Sequence, residues 1–319
     1  IIHLMKAIKI EKFGSTEVLN YIDEPRPSVG EQEVLIKIKA IGVGRVDISA
    51  RKGLYGPLQE PGFIPGIEVV GEVIIVGENT PLYWFGKRVF ARLFKGGYAE
   101  EVSVPVSSLV EVPKGITDIQ AVAFGVNALV ASFSLELSSL EKDDRLLIRG
   151  ATGGIGSIAA ILANANGINV TAELQSDRKR GNLVDIGIKQ FLKQEDIISQ
   201  EASYKSIIDL VLGKGVDQYV NLLADRGHYI ISGGAAGSPE EEFGMSFLSR
   251  VHKSLNLHIF SLNTFSDSEI NSRMTHLFKF ILEYSLVAPL HEVLLLKDAA
   301  QAHDLLESGQ VFGKIILIN

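Results

Sequence analysis

The residues best suited to chemistry in this sequence form a glycine turn, Arg149-Gly150-Ala151-Thr152-Gly153-Gly154-Ile155-Gly156-Ser157. It directly follows an apolar run at 146–149 that reads as a strand, and it opens an apolar helix over 158–165. Glycines at such a turn let the backbone bend sharply, let it approach a pyrophosphate, and bring the helix close to the strand. The helix N-terminus adds unpaired N–H groups and a partial positive charge. The spacing alone would suit any strand-to-helix turn. Its flanking strand and helix point to a dinucleotide held by Gly150, Thr152, Gly153, Gly154, Ile155 and Gly156.

The end of the next strand selects the dinucleotide. An acid there binds the ribose 2′-hydroxyl of NAD, whereas hydroxyl and basic side chains receive the 2′-phosphate of NADP. The run Ala172-Glu173-Leu174-Gln175-Ser176-Asp177-Arg178-Lys179-Arg180 contains both kinds of group. Glu173 argues for NAD; Ser176, Arg178 and Lys179 argue for NADP. The plainer reading of 178–180 is a solvated helix start.

Two kinds of element must position these residues. Up to about residue 115 the chain shows short β-rich runs broken by Gly and Pro, at 34–40, 68–76 and 98–104, the texture of a barrel-like β lobe. From 118 onward apolar strands alternate with helices, as in βαβ units with a parallel sheet. Strands are expected at 146–149, 169–172, 190–192, 218–222, 229–231 and 257–260, which predicts the six-stranded sheet of a doubly wound dinucleotide fold. A helix over 267–284, a strand at 292–296, a helix over 298–307 and a strand at 314–318 read as a return to the first lobe. The fold class is therefore α/β, with residues 1–117 and 286–319 in a β-rich substrate lobe and 118–285 in a dinucleotide-binding lobe. The cleft between lobes is the expected active site.

Composition narrows the chemistry. The 319 residues contain no cysteine, which removes disulfides, thiol nucleophiles and thiolate metal sites, so any redox chemistry must be borrowed from a cofactor. The seven histidines show no metal-ligand spacing, and no metal is expected. A formal charge of −7 argues against nucleic acid as a partner. The longest nearly apolar stretch, 119–133, falls short of the ~20 residues of a membrane span, and residues 1–5 lack a signal-peptide pattern; a soluble cytoplasmic protein without membrane partners is expected.

Several separated motifs coincide with one family. Besides 151–156 they are Gly42-Val43-Gly44-Arg45-Val46-Asp47, Arg51-Lys52-Gly53-Leu54-Tyr55, Pro65-Gly66-Ile67-Glu68, Gly96-Gly97-Tyr98-Ala99-Glu100, Gly125-Val126-Asn127-Ala128, Gly215-Val216-Asp217, the run from Gly227 to Gly233, and the run from Ala299 to Gly309 followed by Gly313-Lys314. Over nearly its whole length the chain resembles the zinc-independent, zeta-crystallin-like quinone oxidoreductases of the medium-chain dehydrogenase/reductase superfamily. The resemblance implies a GroES-like β-rich catalytic lobe, a Rossmann lobe and a homodimer, with 257–262 as an edge strand that pairs with a second subunit. Metal-dependent relatives would carry a zinc-binding cysteine where Gly44 stands and a histidine where Ile67 stands. Without zinc to stabilise an alkoxide, the substrates must accept hydride readily, as quinones and α,β-unsaturated carbonyls do.

The resemblance also assigns residues. Asn127, in place of the usual threonine, lines the nicotinamide and can donate to its carboxamide; Gly44 replaces the usual asparagine, and Arg45 the usual proline. Gly233 falls among the cofactor contacts, and Gln194 takes the place of an adenine-stacking tyrosine; apart from the resemblance, Phe260 is read as a cofactor contact near the cleft, against the core reading that fits the other aromatics. The family's acid would fall on Leu174, so Glu173 is out of phase by one residue, which favours NADP(H) over NAD(H). Tyr55 either hydrogen-bonds the substrate oxygen or walls the cleft. Asp47 either carries a proton or anchors its loop by accepting backbone N–H bonds. Arg45 faces a phosphate, a substrate carboxylate or a neighbouring acid. Glu68 is expected to partner a cation or a backbone donor. The implied activity is NADPH-dependent, metal-free hydride transfer to a quinone or enone, with Tyr55, Asn127 and Arg45 at the reacting end. The rival is a catalytically weak nucleotide-binding regulatory or structural protein, motivated by the changes at Gly44 and Asn127.

Overall fold

A computed structural model describes residues 3–58 and 60–319. The chain begins with β1 (Leu4–Ile10), β2 (Leu19–Pro25), β3 (Glu33–Val43), α1 (Arg45–Arg51), β4 (Glu68–Val76), β5 (Arg88–Arg92), β6 (Glu101–Pro105) and β7 (Leu109–Glu111). It continues through α2 (Asp118–Leu137), β8 (Arg145–Arg149), α3 (Gly154–Ala165), β9 (Asn169–Leu174), α4 (Arg180–Asp185), β10 (Gln190–Lys193), β11 (Tyr204–Asp209), α5 (Val216–Val220) and β12 (Leu223–Ile231). It closes with α6 (Met245–Leu248), β13 (Asn256–Ile259), α7 (Asp267–Glu283), β14 (Leu290–Leu295), α8 (Ala299–Glu307) and β15 (Lys314–Ile318). Two compact units result, residues 1–126 with 266–319, and residues 127–265. The boundaries fall at 126/127 and 265/266, against 117/118 and 285/286 in the sequence reading.

The first unit is built on a sheet in the order β14-β15-β3-β4-β5-β7, with β6 paired to β3 and the hairpin β1-β2 beside it. β3 pairs antiparallel with β4, β6 and β15, so three neighbours converge on one long strand. Its residues Val34, Ile36 and Ile38 alternate along the strand and are buried with Val69, Val73, Val89 and Leu317, and a register irregularity between Ile38 and Ala40 brings Ile41 into the same core.

The second unit carries a parallel sheet in the order β10-β9-β8-β11-β12-β13, the doubly wound order the glycine turn implied. One strand was misread. Residues 218–222 are not a strand: Val216, Tyr219 and Val220 are buried at helical spacing and form α5, opened by Gly215 in the left-handed region. The sixth strand is instead β11, hidden from an apolar-run reading by Ser206 and Asp209, polar residues that the interior accommodates by hydrogen-bonding them.

The apolar stretch is also longer than expected. α2 has twenty residues and is long and apolar enough, by length and composition, to cross a membrane. Ala121, Val122, Ala123, Phe124, Ala128, Leu129 and Ala131 are nevertheless buried inside the fold. The helix is broken at Gly125, whose φ of 27° and ψ of −131° few other residues adopt.

Candidate functional site

In the second unit the turn between β8 and α3 has the geometry the sequence implied. Gly150 has φ +82°, a left-handed conformation suited to glycine. A Cβ on Gly156 would lie 2.2 Å from the Gly150 carbonyl oxygen, so only glycine lets α3 approach the strand this closely. α3 starts at Gly154 behind Gly153, which has no side chain to cap it, so its first N–H groups are left for another acceptor. Thr152, Gly153, Gly154 and Ile155 are at least partly exposed along this turn.

Asn127 stands against the same helix end. A Cβ on Gly154 would lie 2.6 Å from Asn127 Nδ2, which sets how closely the amide approaches the backbone. Asn127 is buried, and its Nδ2 has no hydrogen-bond partner among the described residues. A buried amide donor is costly to leave without an acceptor, which makes Asn127 Nδ2 a candidate contact for a bound molecule.

At the carboxyl ends of the strands, the residues that were to choose between dinucleotides part company. Glu173 is buried; its Oε2 accepts Arg149 Nε–H at 3.4 Å, and its Oε1 accepts the Tyr219 hydroxyl. Arg149 also donates to Asp209 Oδ2 at 2.7 Å and lies over the Tyr219 ring at 3.7 Å. Tyr229 Oη donates to the same Asp209 oxygen at 2.6 Å, while Asp209 Oδ1 accepts the Val211 and Leu212 amides at 2.9 and 2.8 Å. Burial disfavours the Arg149 charge, but Asp209, Tyr229 and Glu173 outweigh it and hold the guanidinium charged. Burial, and then Glu173, push the Tyr219 phenol well up. Ser176 and Arg178 are exposed just beyond β9, with Lys179 half-buried. Sequence reasoning missed this network. Its one signal was charge at the ends of apolar strands, Arg149 and Asp209 closing β8 and β11.

Gly233 and Phe260 lie elsewhere in this unit. A Cβ on Gly233 would lie 2.8 Å from the Leu210 carbonyl oxygen, a close approach of two loops at strand ends. Phe260 meets Phe265 edge to face at 6.4 Å, and Phe265 packs on Phe133 at 4.0 Å with the rings tilted by 31°.

In the first unit Gly44, Arg45 and Asp47 form the entry to α1. Asp47 Oδ2 accepts the Gly44 N–H at 2.8 Å, the loop-anchoring role weighed from sequence. Arg45 is exposed, and Tyr55 is half-buried against the core of this unit. A Cβ on Gly44 would find nothing closer than Asp47 Oδ2 at 3.8 Å, so space is open there. Glu68 forms a buried ion pair with Lys314, and its Oε2 accepts Val126 N–H at 2.7 Å, pinning the chain just past the break in α2. Beside them Arg51, Tyr98 and His303 are fully buried, with Tyr98 Oη 3.0 Å from His303 Nε2. Among the described residues no group of three or more His, Asp or Glu is placed to hold a metal ion, and Gly44 and Ile67 offer no side-chain donor.

Comparison with known proteins agrees with this fold. Residues 30–114 match the alcohol dehydrogenase GroES-like domain, and residues 186–317 match the zinc-binding dehydrogenase model. The chain is 28% identical to quinone oxidoreductase from Sus scrofa over 99% of this chain and 98% of that protein. Its fold superposes on quinone oxidoreductase from Pseudomonas syringae pv. Tomato DC3000 with a TM-score of 0.90 at 25% identity, covering 99% and 100% of the two chains. A mycobacterial protein complexed with NADPH matches with a TM-score of 0.89 at 27% identity, again covering 99% and 100%.

Proposed function

We propose that this chain, which belongs to the quinone oxidoreductase family of the medium-chain dehydrogenase/reductase superfamily, is an NADPH-dependent, metal-free reductase of quinones or α,β-unsaturated carbonyls. The observation that carries the proposal is the unpartnered Asn127 amide held against Gly154 at the uncapped start of α3. A dinucleotide satisfies both. Its pyrophosphate would take the N–H groups of Gly154, Ile155 and Gly156, and a carboxamide oxygen would accept from Asn127 Nδ2. When bound, the reduced nicotinamide supplies the hydride.

NADPH is preferred in this reading because Glu173 is already committed to Arg149 and Tyr219 and so is not offered to a ribose 2′-hydroxyl. The exposed Ser176 and Arg178, with Lys179, stand where a 2′-phosphate would add charge. The NADPH complex of the mycobacterial relative supports the same choice. On the substrate side, the missing donors at Gly44 and Ile67 favour acceptors that need no Lewis acid. Arg45 would offer charge, and Tyr55 a ring with a polar tip, to the developing oxyanion. The proposal includes a homodimer joined along β13, the edge strand of the parallel sheet, where Leu257 and Ile259 are exposed.

The test is the initial rate of NADPH and of NADH oxidation, side by side, with a simple benzoquinone and a panel of enones. Faster turnover with NADPH is expected. Tight NADPH binding with no turnover on any acceptor would overturn the enzyme reading in favour of a nucleotide-binding regulatory or structural protein.

A further inference from the structure

Four of the separated sequence motifs each send one residue to a single place in the first unit: Gly42, Glu68, Gly125 and Lys314. At its centre is the Glu68 carboxylate, which the reductase reading does not use. Glu68 opens β4 and is almost wholly buried. Two glycines make room for it: a Cβ on Gly42 would lie 2.3 Å from its Oε1, and a Cβ on Gly125 would lie 2.2 Å from its Oε2. A buried carboxylate is costly unless it is paired and hydrogen-bonded. Lys314, the buried first residue of β15, pairs with Oε1, while Oε2 accepts the Val126 N–H at 2.7 Å.

That N–H is free for a reason. Gly125 interrupts α2, so a new helical segment starts at Val126 and runs to Leu137. The first N–H groups of a helical segment find no partner within it, and they form the positive end of its dipole. A serine, threonine or aspartate just ahead of the segment would ordinarily accept one of them. The residue ahead of this segment is a glycine with no side chain, and a carboxylate from a distant strand takes the part of the cap.

The residue after Val126 is Asn127, whose amide stands against Gly154 with Nδ2 unpartnered. Fraying of the segment at this end would cost the bond to Glu68, so the cap fixes the turn from which the amide projects. We infer that Glu68 caps the second half of α2, that Lys314 holds the cap in place, and that both are positioning residues for Asn127. The consequence for cofactor binding rests on the reductase reading; the cap itself does not.

Two double variants of the full chain separate capping from the filling of space. Glu68→Gln with Lys314→Met removes both charges but leaves a side-chain oxygen for the Val126 N–H. Glu68→Met with Lys314→Met removes both charges and the acceptor at similar volume. Exchanging a buried ion pair for apolar groups of like size is often neutral for stability, so both should melt near the parent. Amide hydrogen exchange at Val126, followed by NMR, should stay slow in the first variant and become about tenfold faster in the second, the worth of one hydrogen bond. Affinity for NADPH should follow the same order, near the parent value in the first and about tenfold weaker in the second. On an Asn127→Ala background the two should bind NADPH alike, because the residue through which the cap acts is gone. Equal Val126 exchange in the two variants, or a difference in NADPH affinity that persists without Asn127, would overturn the inference.

If the second variant does not fold, the first still reads the cap. Its Val126 amide proton should move upfield of the parent signal as a charged acceptor gives way to a neutral one, and an unmoved signal overturns the inference. If Asn127→Ala alone binds NADPH as tightly as the parent, the reductase reading loses its cofactor contact. Val126 exchange, with the side-chain amide signals of Asn127 differing between the two double variants, then decides the positioning role without any cofactor.

Discussion

Arg149 and Glu173 close two adjacent strands of the parallel sheet, and the guanidinium of one donates to the carboxylate of the other at 3.4 Å, both buried. The acid nearest the position that distinguishes NAD from NADP is thus tied inward by a cation from the glycine-turn strand.

Because Arg149 also balances Asp209, its removal leaves two buried carboxylates without their cation. Arg149→Met should cost about 3–5 kcal/mol of unfolding free energy, the usual penalty for stranding a buried charge. Arg149→Met combined with Glu173→Gln should recover part of that loss. Urea unfolding of the two variants and the parent checks the order; equal stability of the single variant and the parent would sink the idea.

The unpartnered amide of Asn127 predicts a separation of stability from binding. Asn127→Ala gives up no internal bond from Nδ2, so thermal stability should stay within about 1 kcal/mol of the parent. Calorimetric affinity for NADPH should fall about tenfold, the worth of one hydrogen bond. A variant that binds NADPH as tightly as the parent would remove the residue from the cofactor site.

Two glycines of the turn should respond differently to alanine. At Gly156 the new Cβ meets backbone, 2.2 Å from the Gly150 oxygen, and the helix must move; the loss should be about 2 kcal/mol or more, with loss of cofactor binding. At Gly154 the new Cβ meets the Asn127 side-chain amide, which can rotate away. Gly154→Ala should therefore retain most of its stability while weakening cofactor binding, measured by melting with and without NADPH.

The buried pair His303 and Asp47 makes stability depend on pH in opposing senses. His303 is pushed down to about 3, so its contribution is complete above the unfolded value of about 6.5 and is lost as pH falls towards 3. Asp47 is pushed up to about 7, so its contribution is complete below about 4 and is lost as pH rises through 7. Between pH 4 and 6.5 the two slopes oppose. Asp47→Asn should make the protein more acid-labile in that window, and His303→Gln less so, as read from urea midpoints at several pH values. Parallel profiles for both variants would refute the opposition.

The linear sequence determined whatever depends on near neighbours. The glycine turn, its strand and its helix were legible because backbone approach, left-handed φ and helix N-terminal N–H groups are local requirements. Most strands announced themselves by short apolar runs, and the absence of cysteine alone removed whole classes of chemistry. Where local pattern and burial diverged, the reading failed: Tyr219 and Val220 are as apolar as a strand but repeat at helical spacing, and β11 is a central strand that carries Ser206 and Asp209 inside. Only the tertiary structure decided that Glu173 turns to Arg149 and Tyr219, that Asn127 reaches Gly154 with a free donor, and that Arg51, Tyr98 and His303 share one interior. Those relationships join residues 24 to 252 positions apart. A side chain's charge and proton depend on the dielectric and the partners around it, and folding alone assembles both.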